Sequence, residues 1–479
     1  MSIAIEEGGE PVERALIPSH GWKDTSEQRK REILDAIRSG AATAGPVHAE
    51  LDLTDRCNVA CYFCNQQDVR TTKQVPIERV VELLDELAAG GLRSVRLSGG
   101  GDPLAYRGVE RVFDELAARD IVVDNLTTNA ALLSAEIAAR LVEPGRCREV
   151  LVSLNAADAE DYRRMMRVKP ETFGRVLENV ERLVALRGER AQPALSLQFL
   201  LDTSNFHRLP EMYALGRRLG ADRIAVNTVL PIPNERIANH QMLGPLDFHR
   251  LAPQVEQVLR ADRDAQRLFL CFAFPEWNYE LDRLRERLKS PLPVLYPTAA
   301  SFREENGSCF FAWYSATVRG NGDLYPCCML LNPEYRPLGN LLEGGAGFSA
   351  HWHGPVFSRL REEMRDLLLA GGRILHSKER FRALGAACVL PGACGMKNMY
   401  FRGDEDFYRA LGALLDERRR AEIGWRGGAR GLARWWEIQR FRGHHGLRVR
   451  LRPLLHPLAR WLGRRFPTLA QRAERLARF

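Results

Sequence analysis

Short apolar runs alternate with amphipathic stretches between residues 47 and about 229. Six of the apolar runs have the length of buried strands, at residues 49–53, 94–97, 121–126, 149–154, 194–200 and 223–229. The stretches between them place apolar residues on one helical face, as in residues 76–89 and 173–186. Six strand–helix units in series predict a parallel sheet with helices outside it. If such a sheet curls into a barrel, the chemistry lies at the C-terminal ends of its strands.

The pattern is less regular outside this region. Residues 1–45 form a polar lead-in with one short helix predicted at 26–38, and residues 241–300 are interpreted as a mostly helical connector. The turn Asn321-Gly322-Asp323 separates two strand-like runs and predicts a hairpin. We therefore predict a lead-in (1–45), a barrel (46–240), a connector (241–300), a small α+β domain (301–403) and a basic helical tail (404–479).

Three cysteines lie close together directly after the first predicted strand. Cys57, Cys61 and Cys64 form a C-x3-C-x2-C spacing. Three thiolates within eight residues favour a soft-metal site over disulfides, and thiolates are the usual ligands of iron–sulfur clusters. A cluster with three protein ligands keeps one iron open for another molecule. Three buried or zinc-binding cysteines are the alternative.

This segment resembles the cluster motif of the radical S-adenosylmethionine (SAM) enzymes. The resemblance implies that the three cysteines hold a 4Fe–4S cluster whose fourth iron is chelated by the amino and carboxylate groups of SAM. It also implies that Phe63, just before the last cysteine, touches the adenine. The fold implied by the resemblance is a six-unit partial (β/α)6 barrel of the TIM type.

A glycine-rich turn follows the second predicted strand. Gly99, Gly100 and Gly101 precede Asp102, and glycines let a ligand approach the backbone closely. The turn resembles the Gly-Gly-Glu-Pro motif of the family, which binds the amino group of the methionine part of SAM. The extra glycine and the shorter acid are departures, so the expectation rests more on the backbone than on the Asp102 side chain.

Polar residues end the third and fourth predicted strands. The run Thr127-Thr128-Asn129 resembles the Thr-Asn-Gly strand end of the family, and Ser153 and Asn155 end the next strand. The resemblance implies that Asn129, Ser153 and Asn155 contact the ribose or carboxylate of SAM. For Ser153 and Asn155, capping of the following helix is the alternative. No catalytic residue is predicted.

A second set of cysteines lies in the C-terminal part of the chain, at Cys309, Cys327, Cys388 and Cys394. Four cysteines can close an iron–sulfur cluster or a zinc site, and their spacing alone does not choose between the two. Cys328 is an alternative ligand to Cys327.

The C-x12-G-x4-C spacing from Cys309 to Cys327 resembles the auxiliary-cluster extension of one radical SAM branch, called SPASM or, in its one-cluster form, Twitch. Gly385 and Asn398 stand where the full form has further cysteines. The resemblance therefore implies one auxiliary 4Fe–4S cluster on the four cysteines.

Charge and composition limit the partners. The net charge is +8, and 17 arginines against five acids give residues 415–479 a charge of +12, so residues 1–414 carry −4. This acidic body argues against nucleic-acid binding. In the tail, aromatic residues interleave with arginines, which predicts contact with an anionic membrane surface or an acidic partner. A helical lid and an ordinary arginine-rich tail are the alternatives.

The chain is expected to be cytoplasmic, with a peripheral position at the membrane through this tail as the alternative. The N-terminus has no apolar run typical of a signal peptide, and no run of 18 apolar residues indicates a membrane span. Ten cysteines in 479 residues are too few for a disulfide scaffold.

The resemblance implies reductive cleavage of SAM to methionine and a 5′-deoxyadenosyl radical that abstracts a substrate hydrogen. An external donor such as flavodoxin or ferredoxin supplies the electron. We expect an oxidoreductase or related radical enzyme that acts on a sugar-like or other small metabolite, because the lead-in is too short for a peptide-binding domain. The alternatives are a peptide-modifying enzyme and a non-catalytic cluster-binding scaffold or sensor.

Overall fold

The computed structural model describes residues 22, 25–42, 44–64, 66, 71–229, 243–244, 247–271, 275–290, 310–327, 336–369, 407, 410, 411, 413 and 414. The chain divides into two compact units, Met1–Leu411 and Gly412–Phe479. Within the described residues, no helix is both long enough and apolar enough to cross a membrane. The arginine-rich segment beyond residue 414 and its predicted contacts lie outside the described residues.

Ten strands form one sheet in the order β10-β9-β8-β1-β2-β3-β4-β5-β6-β7. Pairing is parallel from β8 through β1 to β7, and antiparallel between β8, β9 and β10. The strands are β1 His48–Asp52, β2 Ser94–Leu97, β3 Val122–Thr128, β4 Glu149–Ser153, β5 Ala194–Leu201, β6 Arg223–Thr228, β7 Leu268–Cys271, β8 Ser315–Arg319, β9 Asp323–Tyr325 and β10 Gly339–Asn340. The first six lie where the sequence predicts them, and the open, mostly parallel sheet confirms the predicted α/β partial barrel.

Helices connect the parallel strands, and several begin at a polar cap. Ser26, Ser134 and Asp158 each accept a hydrogen bond from a backbone amide of the first turn that follows. The helices are α1 Glu27–Ser39, α2 Ile77–Ala89, α3 Val109–Ala118, α4 Ala135–Leu141, α5 Ala159–Met166, α6 Glu171–Arg187, α7 Leu209–Arg218, α8 Phe248–Ala261, α9 Pro275–Leu288, α10 Phe311–Tyr314, α11 Phe348–Trp352 and α12 Pro355–Leu369.

Two parts of the sheet differ from the prediction. The connector, expected to be mostly helical, contributes β7, which pairs in parallel with β6. The apolar run at residues 268–274 has the length of a buried strand, so the local pattern already favoured a strand here. The predicted hairpin does form between β8 and β9, but β8 also pairs in parallel with β1. The C-terminal hairpin therefore continues the barrel sheet.

Side chains alternate between an apolar and a polar face of this sheet. On β1, Ala49 and Leu51 alternate with His48, Glu50 and Asp52, and all five side chains are buried. Right-handed crossovers place the connecting helices on one face of a parallel sheet, and that face is the apolar one. We call the opposite, polar face the inner face, because it lines the concave side of the partial barrel.

Two acids of β1, both on the inner face, lie within hydrogen-bond distance of the same serine, which follows β2. Ser98 Oγ lies 2.6 Å from Glu50 Oε1 and 3.1 Å from Asp52 Oδ1. Arg96 Nη1 lies 3.7 Å from Glu50 Oε1, and Arg96 Nη2 donates to Thr127 Oγ1 at 3.2 Å. This part of the inner face is thus a buried, mutually bonded group of charges.

The contacts continue from β3 to β6. Thr127 Oγ1 donates to Asn125 Oδ1 at 2.7 Å, and Asn125 Nδ2 donates to Glu149 Oε2 at 2.7 Å. Glu149 also accepts from Ser196 and forms an ion pair with Arg223. One line of polar contacts therefore crosses the inner face from β1 to β6.

The carboxyl of Asp52 in this network has a raised pKa. Burial raises the pKa of its carboxyl, and the negative charge of Glu50 raises it further, to about 8. Arg319, Ser98 and Arg96 act in the opposite direction but do not cancel the rise. The Glu50–Asp52 pair therefore holds a proton at neutral pH.

We predict that this proton makes stability depend on pH. Because the folded-state pKa of Asp52 is raised, its stabilising contribution is complete below the unfolded pKa of 3.8 and is lost as pH rises towards about 8. Asp52→Asn imitates the protonated acid at every pH. Between pH 5 and pH 8, the unfolding free energy of the wild type should fall relative to this variant by about 3 to 4 kcal/mol, roughly 1.4 kcal/mol per pH unit up to the folded-state pKa. Guanidinium titrations at both pH values measure this, and parallel pH profiles would contradict the assignment.

A second buried charge stabilises the C-terminal helices. The Arg361 side chain of α12 is fully buried, with its guanidinium carbon 4.3 Å from the ring centre of Trp352. Its Nε donates to the carbonyl of Ala312 at 2.9 Å, and its Nη1 donates to the carbonyl of Trp352 at 2.7 Å. Arg361 thereby joins α10, α11 and α12.

We expect Arg361→Leu to lower the unfolding free energy by about 2 to 4 kcal/mol, because two buried carbonyl oxygens lose their donor. Arg359→Leu, at an exposed position of the same helix, is the matched control and should cost less than about 0.5 kcal/mol. Equal denaturation midpoints for the two variants would show that the Arg361 contacts contribute little.

Candidate functional site

The three clustered cysteines lie on the loop that leaves the C-terminal end of β1. Cys57, Cys61 and Cys64 are all half-buried, and the Cys64 amide donates to the carbonyl of Cys61 at 3.2 Å. The thiols are thus carried on a compact turn at the end of the sheet where a barrel of this kind carries its chemistry. Phe63 is half-buried on the same turn, with its ring centre 5.3 Å from that of Tyr62.

The C-terminal end of helix α5 contacts this turn through backbone hydrogen bonds. The amides of Ala60 and Tyr62 donate to the carbonyls of Met166 and Met165, at 3.0 and 3.3 Å. The Cys61 thiol donates to the Met166 sulfur at 3.4 Å. The end of α5 therefore satisfies loop amides and fixes where the cysteines stand relative to β4, which precedes that helix.

The glycine-rich turn packs directly on the backbone of the cysteine loop. The Gly101 amide donates to the carbonyl of Thr54 at 3.0 Å, and the Asp102 amide donates to the carbonyl of Arg56 at 2.9 Å. A Cβ atom at Gly101 would overlap the carbonyl oxygen of Arg56. Gly101 is therefore required for close approach of the two loops.

The carboxylate of Asp102 joins this turn to the end of β3. It is buried and accepts hydrogen bonds from the Leu104 amide, the Thr128 hydroxyl and both the amide and the side chain of Asn129, at 2.6 to 3.0 Å. Asn129 in turn exchanges hydrogen bonds with Asn58 of the cysteine loop, at 2.8 and 3.2 Å. Burial raises the pKa of Asp102, and these hydrogen bonds oppose the rise.

A buried ion pair ties the cysteine loop to the C-terminal hairpin. Arg319 Nη2, at the end of β8, lies 3.2 Å from Asp55 Oδ1, and both side chains are buried. Asp55 also accepts from the amide and the hydroxyl of Thr71, where the loop returns towards α2. A Cβ atom at Gly100 would overlap Asp55, so this glycine too is needed for packing.

The remaining predicted SAM contacts lie at the adjoining strand ends. Gly99 is half-buried at the start of the glycine turn, and Ser153 is half-buried at the end of β4. Asn155 is buried, and its Oδ1 accepts from the Leu200 amide at 3.1 Å, which bridges β4 and β5. The helix cap considered for Ser153 and Asn155 is instead provided by Asp158. Their contacts with SAM stay a prediction.

The donor chemistry of the cysteine loop fits a multi-iron cluster. Within the described residues, no three His, Cys, Asp or Glu side chains converge as the ligands of a single metal ion do. Each thiolate of an iron–sulfur cluster binds a different iron, so three separated thiols on one turn suit such a group. Of the second cysteine set, Cys327 is half-buried after β9, whereas Cys309, Cys328, Cys388 and Cys394 lie outside the described residues.

Several residues that shape the site were not predicted to have a role. Asn58 and Thr128 lie inside two of the motifs, whereas Tyr162 and Arg319 lie outside them. For Arg319, the polar alternation of Ser315, Thr317 and Arg319 on β8 would have indicated a shared inner face. For Tyr162, only its neighbours in space give the signal.

Two family models match this chain. The model of the radical SAM superfamily matches residues 51–216, which include the cysteine loop, the glycine turn and the ends of β3 and β4. The model of the SPASM domain, an iron–sulfur cluster-binding domain, matches residues 309–370. Cys309 and Cys327 lie within the second match, and Cys388 and Cys394 lie beyond it.

Curated relatives match with low identity. A PqqA peptide cyclase of Bradyrhizobium diazoefficiens is 28% identical over 309 residues, which is 62% of this chain and 70% of the relative. A probable GTP 3′,8-cyclase of Methanococcus maripaludis is 25% identical over 210 residues, which is 43% of this chain and 67% of the relative.

Among solved structures, SuiB of Streptococcus suis matches with a TM-score of 0.52 and 16% identity, over 79% of this chain and 81% of SuiB. This likeness concerns the fold. The two family matches fall on the predicted motifs, and the cofactors are those of the family: a 4Fe–4S cluster with SAM and an auxiliary cluster. Residues 51–216 of the chain therefore form a radical SAM domain, and an iron–sulfur cluster-binding domain of the SPASM type follows it at residues 309–370.

Proposed function

We propose that this protein is a radical enzyme that abstracts a hydrogen atom from a small polar metabolite bound against the inner face of its barrel. The observation that carries the proposal is the line of charged and hydroxyl side chains across that face, of which Asp52 and Ser98 lie next to the cysteine and glycine loops. A polar substrate can exchange hydrogen bonds with these side chains, whereas an apolar substrate gives none in return for the water that it displaces.

The chain's own residues have defined tasks in this proposal. Cys57, Cys61 and Cys64 hold the first cluster through their thiolates. With SAM bound, that cluster supplies the electron that yields methionine and a 5′-deoxyadenosyl radical. Backbone carbonyls of Gly99, Gly100 and Gly101 accept hydrogen bonds from the methionine amino group, without side chains in the way.

Around these ligands, Phe63 meets the adenine, and Asn129, Ser153 and Asn155 meet the ribose or carboxylate. Asp102 acts as a positioning residue, because its carboxylate already accepts hydrogen bonds from four donors of the protein. The glycine turn can therefore contact SAM without any contact from the shorter side chain of Asp102.

The small-metabolite proposal has support in the chemistry of the inner face. Carboxylates, guanidinium groups and hydroxyls recognise the hydroxyl groups of a sugar-like molecule by hydrogen bonds. The curated GTP 3′,8-cyclases, named for a nucleotide that contains a sugar, are relatives of the barrel region. The Glu50–Asp52 pair offers a proton acceptor or donor to such a substrate.

A peptide substrate is the second candidate. It is favoured by the PqqA peptide cyclase, whose match extends over 309 residues of this chain. The same polar face suits the amides and carbonyls of a peptide backbone. A peptide-binding partner encoded separately would serve this candidate.

The C-terminal part has a proposed redox role. Cys309, Cys327, Cys388 and Cys394, with Cys328 as the substitute for Cys327, would hold an auxiliary 4Fe–4S cluster, which would supply an acceptor for the electron of the substrate radical. The overall reaction is then an oxidation or a bond formation. A flavodoxin or ferredoxin provides the first electron, and the arginine-rich tail binds a membrane surface or an acidic partner.

The proposal is tested by anaerobic reconstitution followed by paired substrate assays. Reduced protein with SAM should form 5′-deoxyadenosine, and its yield should rise with sugar-like candidates and not with precursor peptides. A rise with peptides alone would move the function to the second candidate. Bound iron without any 5′-deoxyadenosine would favour a non-catalytic scaffold or sensor.

We predict that Cys61→Ala loses about four irons per chain and all formation of 5′-deoxyadenosine, because the cluster is left with two thiolates. Cys147→Ala is the matched control: this buried thiol donates to the Glu149 carbonyl, away from the cysteine loop. The control should keep its iron. Equal iron content in the two variants would remove Cys61 from the ligand set.

We also predict that Gly101→Ala lowers iron retention and 5′-deoxyadenosine formation by at least tenfold, because the added Cβ atom forces the glycine turn away from Arg56. Gly174→Ala, in α6, adds the same atom where no other atom lies within 4 Å and should be neutral or slightly stabilising. Wild-type behaviour of Gly101→Ala would show that close contact between the loops is dispensable.

A further inference from the structure

Tyr162 is a fully buried phenol on α5, the helix that braces the cysteine loop. Within the described residues its hydroxyl has no hydrogen-bond partner. Its ring packs beside Phe173, with the ring centres 5.3 Å apart. A buried hydroxyl without a partner costs free energy, so native structures generally provide one. The missing partner therefore needs an explanation.

Tyr162 lies on the face of α5 that contacts the cysteine loop. Met165 and Met166 follow it by three and four residues, so all three share one helical face. The carbonyls of these methionines accept from the amides of the cysteine loop, and the Met166 sulfur accepts from the Cys61 thiol. The face that carries Tyr162 is thus the face that contacts the loop.

The electrostatic surroundings of the phenol agree with this direction. Burial is the main cause of its raised pKa, and the charges of Cys61, Asp102 and Cys57 raise it further, in that order. Cys61, Asp102 and Cys57 are therefore the ionisable groups that act on the hydroxyl, and Cys61 also touches Met166, one helical turn from Tyr162. All three favour a phenol that keeps its proton and can donate it in a hydrogen bond.

Asp102 is the less suitable acceptor of the three. Its carboxylate already receives the Leu104 amide, the Thr128 hydroxyl and two donors of Asn129. Two carboxylate oxygens have about four lone-pair sites, and these are in use. A thiolate of the cysteine loop remains as the acceptor that the hydroxyl lacks.

We propose that the Tyr162 hydroxyl donates a hydrogen bond to the sulfur of Cys61 when that sulfur is a cluster ligand, and that this bond raises the reduction potential of the cluster. The inference rests on the proposed cluster at Cys57, Cys61 and Cys64. Hydrogen bonds to ligand sulfurs stabilise the more negative, reduced state of a cluster. Tyr162 is thereby a positioning residue that tunes the cluster through its ligand.

The test is a redox titration of the reconstituted protein, followed by electron paramagnetic resonance of the reduced cluster. Tyr162→Phe keeps the ring and removes only the hydroxyl. At a fixed applied potential, its ratio of reduced to oxidised cluster should fall by up to about tenfold, which corresponds to a shift of about 59 mV to more negative potential. An unchanged potential, with iron content equal to that of the wild type, would overturn the proposal.

Tyr213→Phe is the matched control. Tyr213 is also a buried tyrosine, and it lies on α7, far along the chain from the cysteine loop. Its hydroxyl already has a partner, because it donates to Asp262 Oδ1 at 2.8 Å. This variant should lose stability and keep the wild-type potential. Equal shifts in both variants would indicate a general effect of destabilisation and would also overturn the proposal.

Iron content and reduction potential together distinguish failure of this inference from failure of the proposed function. Wild-type protein that binds no iron refutes the cluster itself, whereas wild-type protein with iron and an unshifted Tyr162→Phe refutes only the hydrogen bond. If Tyr162→Phe does not fold, fluorotyrosine at position 162 retains the hydroxyl as a stronger donor. The potential should then move in the positive direction, and no movement would refute the bond.

Discussion

The buried carboxylate of Asp102 is the interaction on which the site geometry depends. It gathers donors from the glycine turn and from the end of β3, and Asn129 extends the link to Asn58 in the cysteine loop. A buried carboxylate is stable only where its hydrogen bonds replace water. The three segments are therefore held in one arrangement, because moving any of them would leave this charge partly unsatisfied.

The same requirement, that buried charges have hydrogen-bond partners, is met across the inner face of the sheet. Acids and arginines that line the concave side of the sheet contact one another in sequence, from Asp52 on β1 to Arg223 on β6. Buried ion pairs add little net stability, since desolvation offsets their attraction. Such a face is better understood as a preorganised polar surface, whose dipoles are already oriented before a ligand arrives.

The sequence predicts the barrel well because its strands are apolar runs of ordinary length, separated by amphipathic helices. The strand β7 was missed because residues 241–300 were interpreted as a mostly helical connector, although the apolar run at residues 268–274 has the length of a buried strand. The clustered cysteines and glycines mark the site by local spacing. From the sequence, we expected the backbone at Asp102 to matter more for SAM binding than its side chain. In the structure, that side chain joins the glycine turn to the end of β3. Asn58, Tyr162 and Arg319 come from separate segments, so no local pattern could group them.

The parallel pairing of β8 with β1 has a consequence for synthesis of the chain. His48 pairs with Ser315, so β1 leaves the ribosome some 270 residues before the strand that covers this edge. At about 5 to 20 residues per second, that delay is roughly 13 to 50 s. During this interval an open strand edge and the unpaired Asp55 carboxylate are exposed to other nascent chains. We infer that the barrel matures only after the hairpin has emerged, and that the two regions reach their final state as one cooperative unit.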